Sequence, residues 1–520
     1  MIERRPVPGV LPDITNSPHP ILTRLYASRG ISSAAQLERG AASLLPYSAL
    51  KGIDSAVALL IDALQQQQQL VIVGDFDADG ATSTAVLITG LKALGFKRVE
   101  YLVPNRFEYG YGLTPEMAEL AVAQGAELII TVDNGISAID GVALAKQAGV
   151  KVLVTDHHLA GTELPAADAI VNPNQPGCSF PSKALAGVGV AFYLLLALRA
   201  ALREQQHFAN SGLAEPNLAE LLDLVALGTV ADVVPLDSNN RILVHQGLMR
   251  IRSGKCRPGI QALIDVANRS AAKLTASDFG FALAPRLNAA GRLDDMSLGI
   301  SCLLAPDLGL ARQYAAELDS LNVERRAIEQ SMQVEAQAFL SQLSFDGSEL
   351  PECLCLYRHD WHQGVIGILA GRIKEQFHRP TIVFAQGDEG ELKGSARSIN
   401  GLHIRDLLEE ISSQYPGLIK KFGGHAMAAG LTISADRLDT FKLALSLTAK
   451  KHLTPEQLTA VLYSDGDLLT YAGKLLSHFG VAGKHLMLPL FKYASHVYCV
   501  IDDLKFSKNA EALPPKSSQN

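Results

Sequence analysis

The stretch of sequence that decides the fold is Val71-Ile-Val-Gly-Asp75-Phe-Asp77-Ala-Asp79-Gly80. It begins inside the apolar run of residues 70–73, which is typical of a buried strand. Three aspartates follow at once, and a helical pattern then occupies residues 82–94. A short buried strand, an acidic loop and a helix in this order predict one unit of a parallel α/β sheet.

The same alternation continues outward along the chain. Short apolar runs recur after the first unit, and a helical stretch separates two of them. Apolar runs that alternate with helices indicate a doubly wound parallel sheet. The further strand candidates are residues 99–103, 128–132, 151–155 and 169–171, and the helix candidate is residues 139–147.

Two more acidic motifs occupy the same position relative to a strand. Asp133-Asn-Gly follows the run at 128–132, and Asp156-His157-His158 follows the run at 151–155. The carboxyl ends of parallel strands meet at one edge of a sheet, so we expect these side chains to converge there. Crowded carboxylates repel each other, and bound cations remove that penalty. Carboxylates with one imidazole suit Mn²⁺ or Mg²⁺.

Each motif also has a simpler interpretation. Three spaced aspartates can form a solvated loop, Asp133-Asn-Gly can be an ordinary turn, and Asp156 can cap a helix that carries two surface histidines. Their occurrence at successive strand ends favours the metal site. Asp232 lies in the apolar stretch 224–234, where an unpaired charge is costly. Its partner is either a metal ion or a buried arginine.

Composition and charge set limits on the partners. The 520 residues are 48% hydrophobic and 19% charged, which indicates a folded protein of two or three domains. The net charge is 46 − 53 = −7, unlike a general nucleic-acid binder, so a polyanionic substrate needs a local cationic groove or metal ions. The six cysteines match no zinc spacing, which favours reduced thiols in the cytoplasm.

No segment predicts a membrane location. Residues 1–13 contain no apolar stretch that could serve as a signal peptide. The uncharged run between Lys183 and Arg199 is shorter than the roughly 20 residues that span a bilayer, so we expect a buried helix. We therefore expect a cytoplasmic protein with no membrane contact.

The combined motifs resemble those of the DHH phosphoesterase superfamily. Asp75 to Gly80, Asp133-Asn-Gly, Asp156-His-His and Gly228-Thr-Val-Ala-Asp232 are similar to its four motifs. Further stretches resemble the RecJ family within it, over residues 5–465. They are Pro104-Asn-Arg-Phe-Glu-Tyr-Gly-Tyr-Gly-Leu113, Pro285-Arg-Leu-Asn-Ala-Ala-Gly-Arg292, residues 361–372 and Phe422-Gly-Gly-His-Ala-Met-Ala-Ala-Gly430.

The resemblance implies an α/β fold class in several parts. A doubly wound parallel-sheet DHH domain is followed by a long linking helix, a smaller α/β DHHA1 domain and an incomplete OB-like β tail. The tail is shortened, since only Val481 to Leu486 keeps a trace of an OB strand and Trp361 is the only tryptophan. The implied boundaries are an N-terminal arm or cap at 1–45, the DHH domain at 46–305, the linking helix at 306–345, the DHHA1 domain at 346–450, and the OB-like region with a disordered end at 451–520.

The resemblance also implies roles for the acidic and histidine residues. Two divalent ions, Mn²⁺ or Mg²⁺, are expected, with Asp133 bridging them. Asp79 and Asp156 orient the cluster. His158 contacts the scissile phosphate or protonates the leaving group. The implied metal ligands are Asp75, Asp77, Asp133, His157 and Asp232.

Three further regions are expected to bind the substrate. Arg106, Tyr109 and Tyr111 lie in a Gly-rich loop that suits phosphate contact and base stacking, with a surface turn as an equal alternative. Arg286 and Arg292, which flank Asn288, suit a phosphate track or else a structural salt bridge. The expected site for the 5′-terminal phosphate comprises Ser395, Arg397, Ser398, Gly423, Gly424 and His425.

The resemblance implies a single-stranded-DNA-specific 5′→3′ exonuclease that releases 5′-mononucleotides in DNA repair and recombination. A single-strand-binding protein and a helicase are the implied partners of a monomeric enzyme. The alternative is a DHH nanoRNase or cyclic-dinucleotide phosphodiesterase, although such proteins are shorter and lack the stretches at 104–113 and 285–292. A scaffold with an inactive site is disfavoured, because every expected ligand is present.

Overall fold

The computed structural model describes residues 2–9, 20–105, 109–161, 163–342, 351–388, 390–424 and 426–465. Near the amino terminus lie β1 (Ile2–Arg4) and α1 (Pro20–Ala27), followed by α2 (Ile53–Gln66). Three 3₁₀ turns lie between α1 and α2 among these residues, and residues 41–49 pack against the interior through Leu44, Leu45 and Tyr47.

The first sheet has five parallel strands in the order β3-β2-β4-β5-β6. Its central strands are buried along their whole length, because helices cover both faces. The predicted doubly wound parallel sheet is confirmed. Its strands are β2 (Leu70–Val73), β3 (Val99–Leu102), β4 (Leu128–Val132), β5 (Lys151–Thr155) and β6 (Ala169–Val171).

The first helix after β2 begins four residues earlier than the apolar pattern indicates. Asp77 is its N-cap, and the Asp77 side chain accepts hydrogen bonds from the backbone N–H groups of Asp79 and Gly80. The acidic loop is therefore held rigidly against the helix. The helices of this part are α3 (Ala78–Ala93), α4 (Pro115–Ala123), α5 (Ile139–Gln147), α6 (Gly187–Glu204) and α7 (His207–Ser211).

A helical layer completes the first domain and leads into the long linking helix. The apolar helix α6 is buried at most of its positions, as the sequence predicts. A π-helical segment, Phe279–Leu283, runs directly into α12. The helices are α8 (Leu222–Ala231), α9 (Ser238–Arg252), α10 (Pro258–Val266), α11 (Ala276–Asp278), α12 (Ala284–Leu293), α13 (Ser297–Leu304) and the linking helix α14 (Leu308–Gln342).

The second domain is smaller and has a mixed sheet in the order β10-β11-β9-β8-β7. Only β7 and β8 pair in parallel, and the other neighbours are antiparallel. The predicted α/β character of this region is confirmed. Its elements are β7 (Leu354–Tyr357), α15 (Ile366–Phe377), β8 (Thr381–Gln386), β9 (Glu391–Arg397), α16 (Ile404–Gln414), β10 (Lys421–Gly424), β11 (Ala428–Ser434), α17 (Leu438–His452) and β12 (Leu462–Ser464).

The two ends of the described chain meet. Strand β1 pairs in parallel with β12, and Arg29 donates two hydrogen bonds to the carboxylate of Asp465. The expected OB-like region falls largely on residues 466–520, which lie outside the described residues. The implied domain boundaries stay predictions. No single described helix is both long and apolar enough to cross a bilayer, although two short segments at 41–49 and 53–66, bent by 86°, pass that test together.

Candidate metal centre and substrate cleft

Neighbouring strands bring the three acidic motifs to one edge of the first sheet. Because β2, β4 and β5 lie side by side, the loops that carry Asp75, Asp133 and Asp156 are adjacent. Asp133 adopts a left-handed backbone conformation with φ 61°, and Gly135 follows with φ 110°. A side chain on Gly135 would begin 2.4 Å from the Thr131 hydroxyl oxygen, so the tight turn after Asp133 needs a glycine.

The potential ligand atoms form neighbouring groups. Within each group, all the atoms lie within 4.8 Å of one another. Asp133 belongs to two of the groups, which is the arrangement that a bridging carboxylate requires. The groups are Asp75 with Asp77 and Asp133; Asp133 with His157 and His158; and Asp79 with His157 and Asp232.

Asp232 is brought to this cluster by α8, which ends immediately before it. His157 Nε2 lies 3.4 Å from Asp232 Oδ2 and 3.1 Å from Asp133 Oδ1. Among the described residues, no lysine or arginine forms an ion pair with Asp232. The geometry thus favours the metal alternative for Asp232 over the buried arginine.

The electrostatics of the cluster also call for cations. Burial, followed by the charges of Asp79 and Asp77, raises the pKa of Asp133 well above its usual value. Burial and the same charges raise the pKa of Asp232 in the same way. The buried oxygens Asp133 Oδ1 and Asp232 Oδ2 accept no hydrogen bond from the described residues. Carboxylates that the protein leaves uncompensated fit divalent cations.

Two acidic residues of the motifs have protein partners instead. The Asp79 carboxylate accepts hydrogen bonds from the N–H groups of Gly187 and Val188, at 2.7 and 3.0 Å, in the first turn of α6. The Asp156 carboxylate accepts from the N–H groups of Ile136 and His157 and contacts the His158 ring at 2.8 Å. These contacts support the expectation that Asp79 and Asp156 orient the cluster rather than hold a metal themselves.

Sequence reasoning did not assign a role to Gly187. A Cβ on Gly187 would lie 2.7 Å from Asp133 Oδ1, so only glycine lets the start of α6 approach the cluster this closely. The helix N-terminus also carries a partial positive charge beside these carboxylates. The sequence feature that could have indicated this role is Gly187-Val-Gly189 at the beginning of the apolar helix.

Asn288 makes a contact that its predicted role in substrate binding does not include, and that role stays a prediction. Asn288 Oδ1 accepts a hydrogen bond of 2.8 Å from the Ala78 backbone N–H, in the loop that bears Asp75 and Asp77. Its side chain therefore positions the acidic loop, and this contact does not involve a substrate. Local sequence patterns could not reveal this contact, because Asn288 and Ala78 are 210 positions apart.

His158 lies at the rim of the cluster with Tyr111. Burial opposes the charged ring, but the Asp156 hydrogen bond and the charges of Asp156 and Asp75 outweigh it and raise the pKa of His158 to about 9. The Tyr111 hydroxyl donates to the Asp133 carbonyl oxygen at 3.0 Å and lies 3.3 Å from His158 Nδ1. Tyr109 is half-buried and packs against the apolar cluster on one face of the first sheet. Arg106 lies outside the described residues.

The two arginines beside Asn288 have different surroundings. Arg286 is buried, pairs with Asp319 of α14 at 2.8 Å and donates to the carbonyl oxygens of Ala282 and Val266. This geometry corresponds to the structural salt bridge, one of the two alternatives for Arg286, and the phosphate contact stays a prediction. Arg292 is half-buried and donates to the Gly364 carbonyl oxygen at 3.2 Å, so it lies where the two domains meet.

In the second domain, Ser395 and Arg397 lie together on β9. Arg397 Nη1 donates to the Ser395 hydroxyl at 3.1 Å. A Cβ on Gly367, in the first turn of α15, would lie 2.9 Å from Arg397 Nη2 and 3.0 Å from the Ser395 hydroxyl. The two side chains are thus close to a helix N-terminus, where an anion is favoured.

The other residues expected to bind the 5′ phosphate differ in position. Ser398 is buried and its hydroxyl donates to the Leu402 carbonyl oxygen, and its contact with a phosphate stays a prediction. Gly423 and Gly424 are exposed on β10, and a side chain on Gly423 would meet open space. His425 lies outside the described residues.

Two family models match the chain. The model of the DHH family, N-terminal domain, matches residues 69–229, and the model of the DHHA1 domain matches residues 351–451. The first range contains Asp75, Asp133 and His157, and the second contains Arg397. The predicted DHH and DHHA1 domains are confirmed by these matches.

Several similar proteins are bacterial exonucleases. The single-stranded-DNA-specific exonuclease RecJ of Dickeya dadantii is 59% identical over 467 residues, which are 90% of this chain and 81% of that protein. The protein of the same name from Escherichia coli is 56% identical over 477 residues, 91% of this chain and 83% of that protein. The crystal structure of RecJ in complex with Mn²⁺ from Thermus thermophilus matches with a TM-score of 0.70 and 32% identity, covering 88% of this chain and 63% of that one.

Proposed function

The chain belongs to the RecJ family of single-stranded-DNA-specific exonucleases, and on that premise we propose that it hydrolyses single-stranded DNA from the 5′ end and releases 5′-mononucleotides. Its place is in DNA repair and recombination. The observation that carries the proposal is the pair of ligand groups that have Asp133 in common at the sheet edge. Such a pair suits a hydrolase that acts on phosphodiester bonds.

We propose that the site holds two Mn²⁺ or Mg²⁺ ions. The residues that would hold them are Asp75, Asp77, Asp133, His157 and Asp232. Bound there, the two ions would lower the pKa of a water and stabilise the attacking and leaving oxygens. Support comes from the uncompensated carboxylate oxygens and from the Mn²⁺ complex of the Thermus relative.

The chain's own residues orient the reactants and supply a proton. Asp79 and Asp156, held by backbone N–H groups, keep the ligand loops in place. His158 is the proposed general acid, because its hydrogen bond with the Asp156 carboxylate favours the protonated ring. Asp156 engages Nδ1, and the proton on Nε2 is the one proposed to pass to the departing 3′ oxygen.

The polarity of the reaction is assigned to the second domain. Ser395 and Arg397, which lie on β9 beside the first turn of α15, supply donors for the 5′-terminal phosphate, and the exposed Gly423 and Gly424 let a phosphate approach the backbone. Arg106 and His425 remain predicted contributors. Arg292 and Tyr111 lie along the cleft between this region and the metal centre, where they can contact the strand.

Partners and location are also proposals. A helicase that unwinds duplex and a single-strand-binding protein are expected to supply the substrate to a monomeric enzyme. A cytoplasmic location is proposed because the proposed substrate is DNA. The five described cysteines form no disulfide, which agrees with a reducing compartment.

The test is a nuclease assay with purified protein on single-stranded, duplex and 5′-blocked DNA of equal length, with Mn²⁺ or Mg²⁺. We expect mononucleotides from the single strand alone. Preference for duplex, or degradation of the 5′-blocked strand from its 3′ end, would contradict the proposal. A comparison with a 5-mer and a cyclic dinucleotide addresses the alternative, because a nanoRNase or cyclic-dinucleotide phosphodiesterase would prefer those substrates to a long strand.

A further inference from the structure

The helix that carries Asn288 and Arg292 has one accessible face. Between residues 281 and 292, only Phe281, Pro285, Asn288 and Arg292 are not buried. Their spacings of four, three and four residues place them in one stripe along the π-helical segment and α12. The remaining positions of this stretch are packed in the interior.

This stripe borders the substrate cleft. Asn288 contacts the acidic loop at Ala78, and Arg292 contacts Gly364 of the second domain. Phe281 lies two turns before Asn288, about 10 Å along the helix axis. Phe281 is 64% exposed, so part of its aromatic surface is accessible.

A second exposed apolar residue lies next to the metal centre. Val233 directly follows Asp232, is 78% exposed and has φ 64°, a conformation that is strained for a β-branched residue. The π-helical segment packs against α8, since a Cβ on Gly280 would lie 3.6 Å from Val230 Cγ1. Phe281 and Val233 therefore flank the same end of α8. We call these two residues the apolar lip.

We propose that the apolar lip binds a nucleobase of the single strand, with the Phe281 ring stacked on the base and Val233 against its edge. This inference rests on the proposed function and deepens it. When a phosphate enters the metal centre, the attached base must leave the acidic cluster, and a neutral aromatic base finds a matching surface on the lip. A base inside a duplex already has both faces covered by its neighbours, so the lip favours single strands.

The π-helical geometry supports this assignment. A π segment adds one residue to a turn and is frequent at functional sites. Here the segment, Phe279–Leu283, keeps Phe279 and Leu283 buried while Phe281 points to solvent. The strain at Val233 also occurs beside a proposed metal ligand. Both features place an exposed apolar side chain at one cleft, where a nucleobase can contact it.

The experiment couples a protein change to a substrate change. Phe281→Ala and Phe281→Trp are compared with wild type on a single-stranded oligonucleotide, and on a series in which one abasic residue is moved stepwise from the 5′ end. Leu443→Ala on α17, which removes an equally exposed side chain (63%), is the matched control. Hydrolysis of bis(p-nitrophenyl) phosphate, which carries no base, reports on the metal centre alone.

For Phe281→Ala we expect kcat/KM on the intact strand to fall by about tenfold, the effect of losing one stacked base. The deficit should disappear at one abasic position and remain at the others. Phe281→Trp should keep near wild-type rates, and Leu443→Ala and the hydrolysis of bis(p-nitrophenyl) phosphate should not change. Val233→Asn, which tolerates positive φ, should give a smaller loss on the intact strand.

The outcomes separate this inference from the proposed function. If wild type cleaves single strands but Phe281→Ala matches it, or its deficit is the same at every abasic position, the lip does not bind a base. An equal loss on bis(p-nitrophenyl) phosphate would mean that Phe281 supports the metal centre structurally, which also overturns the inference. If wild type itself cleaves no single strand, the proposed function is what fails.

Discussion

The acidic residues of the first domain and the arginines around the cleft were predicted by similar reasoning, but the structure treats them differently. Asp133 is buried and Asp232 is half-buried, and each has a buried carboxylate oxygen that no described residue satisfies through a hydrogen bond. Arg286 is equally interior, yet it has an acidic partner and two carbonyl acceptors. The difference teaches that a buried charge left uncompensated by the protein indicates a ligand, whereas a compensated one indicates scaffolding.

The largest expected effect tests the carboxylates that the protein leaves uncompensated. Asp133→Asn removes the carboxylate that both ligand groups contain, so Mn²⁺-dependent release of mononucleotides should be abolished. The same change removes a buried like charge, so in EDTA the variant should unfold at a higher temperature than wild type. Activity assays and thermal unfolding with and without Mn²⁺ measure both.

Asp140→Asn is the matched control for Asp133→Asn. Asp140 is an exposed aspartate in the first turn of α5, so its substitution should change neither activity nor the response to EDTA. Retained nuclease activity in Asp133→Asn would remove Asp133 from the metal site. A melting temperature in EDTA that is lower for Asp133→Asn than for wild type would show that the protein itself compensates the Asp133 carboxylate.

A smaller effect is expected from the residue that holds the acidic loop. Asn288→Ala removes the acceptor for the Ala78 N–H, so the ligands Asp75 and Asp77 lose their support. Supporting residues of this kind change metal affinity or activity by about 10–100-fold. Titration with Mn²⁺ should show a raised metal requirement, and saturating metal should restore most of the rate. A loss that excess Mn²⁺ does not relieve would assign Asn288 to the substrate, as the sequence predicted.

These examples indicate what the sequence can and cannot predict. The convergence of Asp75, Asp133 and Asp156 follows from a general rule of parallel sheets, so local patterns were sufficient. The roles of Asn288 and Arg286 depend on which residues of other elements pack against them. Ala78 is 210 positions from Asn288, and Asp319 lies on the linking helix. No local pattern specifies such partners.

The resemblance to a family had a similar limit. It indicated the segment that contains Ser395, Arg397 and Ser398, but motif similarity does not distinguish a side chain that faces the cleft from one that is used internally. Ser398 donates to Leu402, while the side chain of Arg397 lies beside the first turn of α15. Only the packing of β9 against α15 separates the two.

The next prediction contrasts two arginines. Arg397→Ala should reduce the preference for a 5′-phosphorylated over a 5′-hydroxyl strand by about tenfold, since a charge-assisted hydrogen bond is lost. Arg286→Met should leave this preference unchanged and lower the free energy of unfolding by roughly 1–3 kcal/mol, because Asp319 and two carbonyl groups lose their donor. Competition assays and denaturant unfolding measure the two quantities. If Arg286→Met loses the preference and Arg397→Ala keeps it, Arg286 is the residue that binds the phosphate and Arg397 is structural.

The smallest expected effect is the pH dependence of stability in the metal-free protein. Burial and the charge of Asp77 raise the pKa of Asp79 to about 7, against an unfolded value of about 3.9. The folded state therefore binds the proton more tightly, and the stability that this provides is present below the unfolded pKa and lost as pH rises through the folded pKa. In EDTA, the melting temperature should fall by about a few degrees between pH 5 and pH 8.

Other titrating groups do not obscure the change in melting temperature between pH 5 and pH 8 if Asp79→Asn is measured in parallel. Carboxyl groups whose pKa is lowered, such as Asp156, remain ionised throughout it. His158, with its pKa raised to about 9, contributes in the same direction in both proteins. The slope should therefore be shallower in Asp79→Asn, and saturating Mn²⁺ should flatten it in wild type, because cations stabilise the ionised cluster. Equal slopes in the two proteins would mean that Asp79 is charged in the folded state, compensated by the α6 N–H groups as fully as Arg286 is by Asp319.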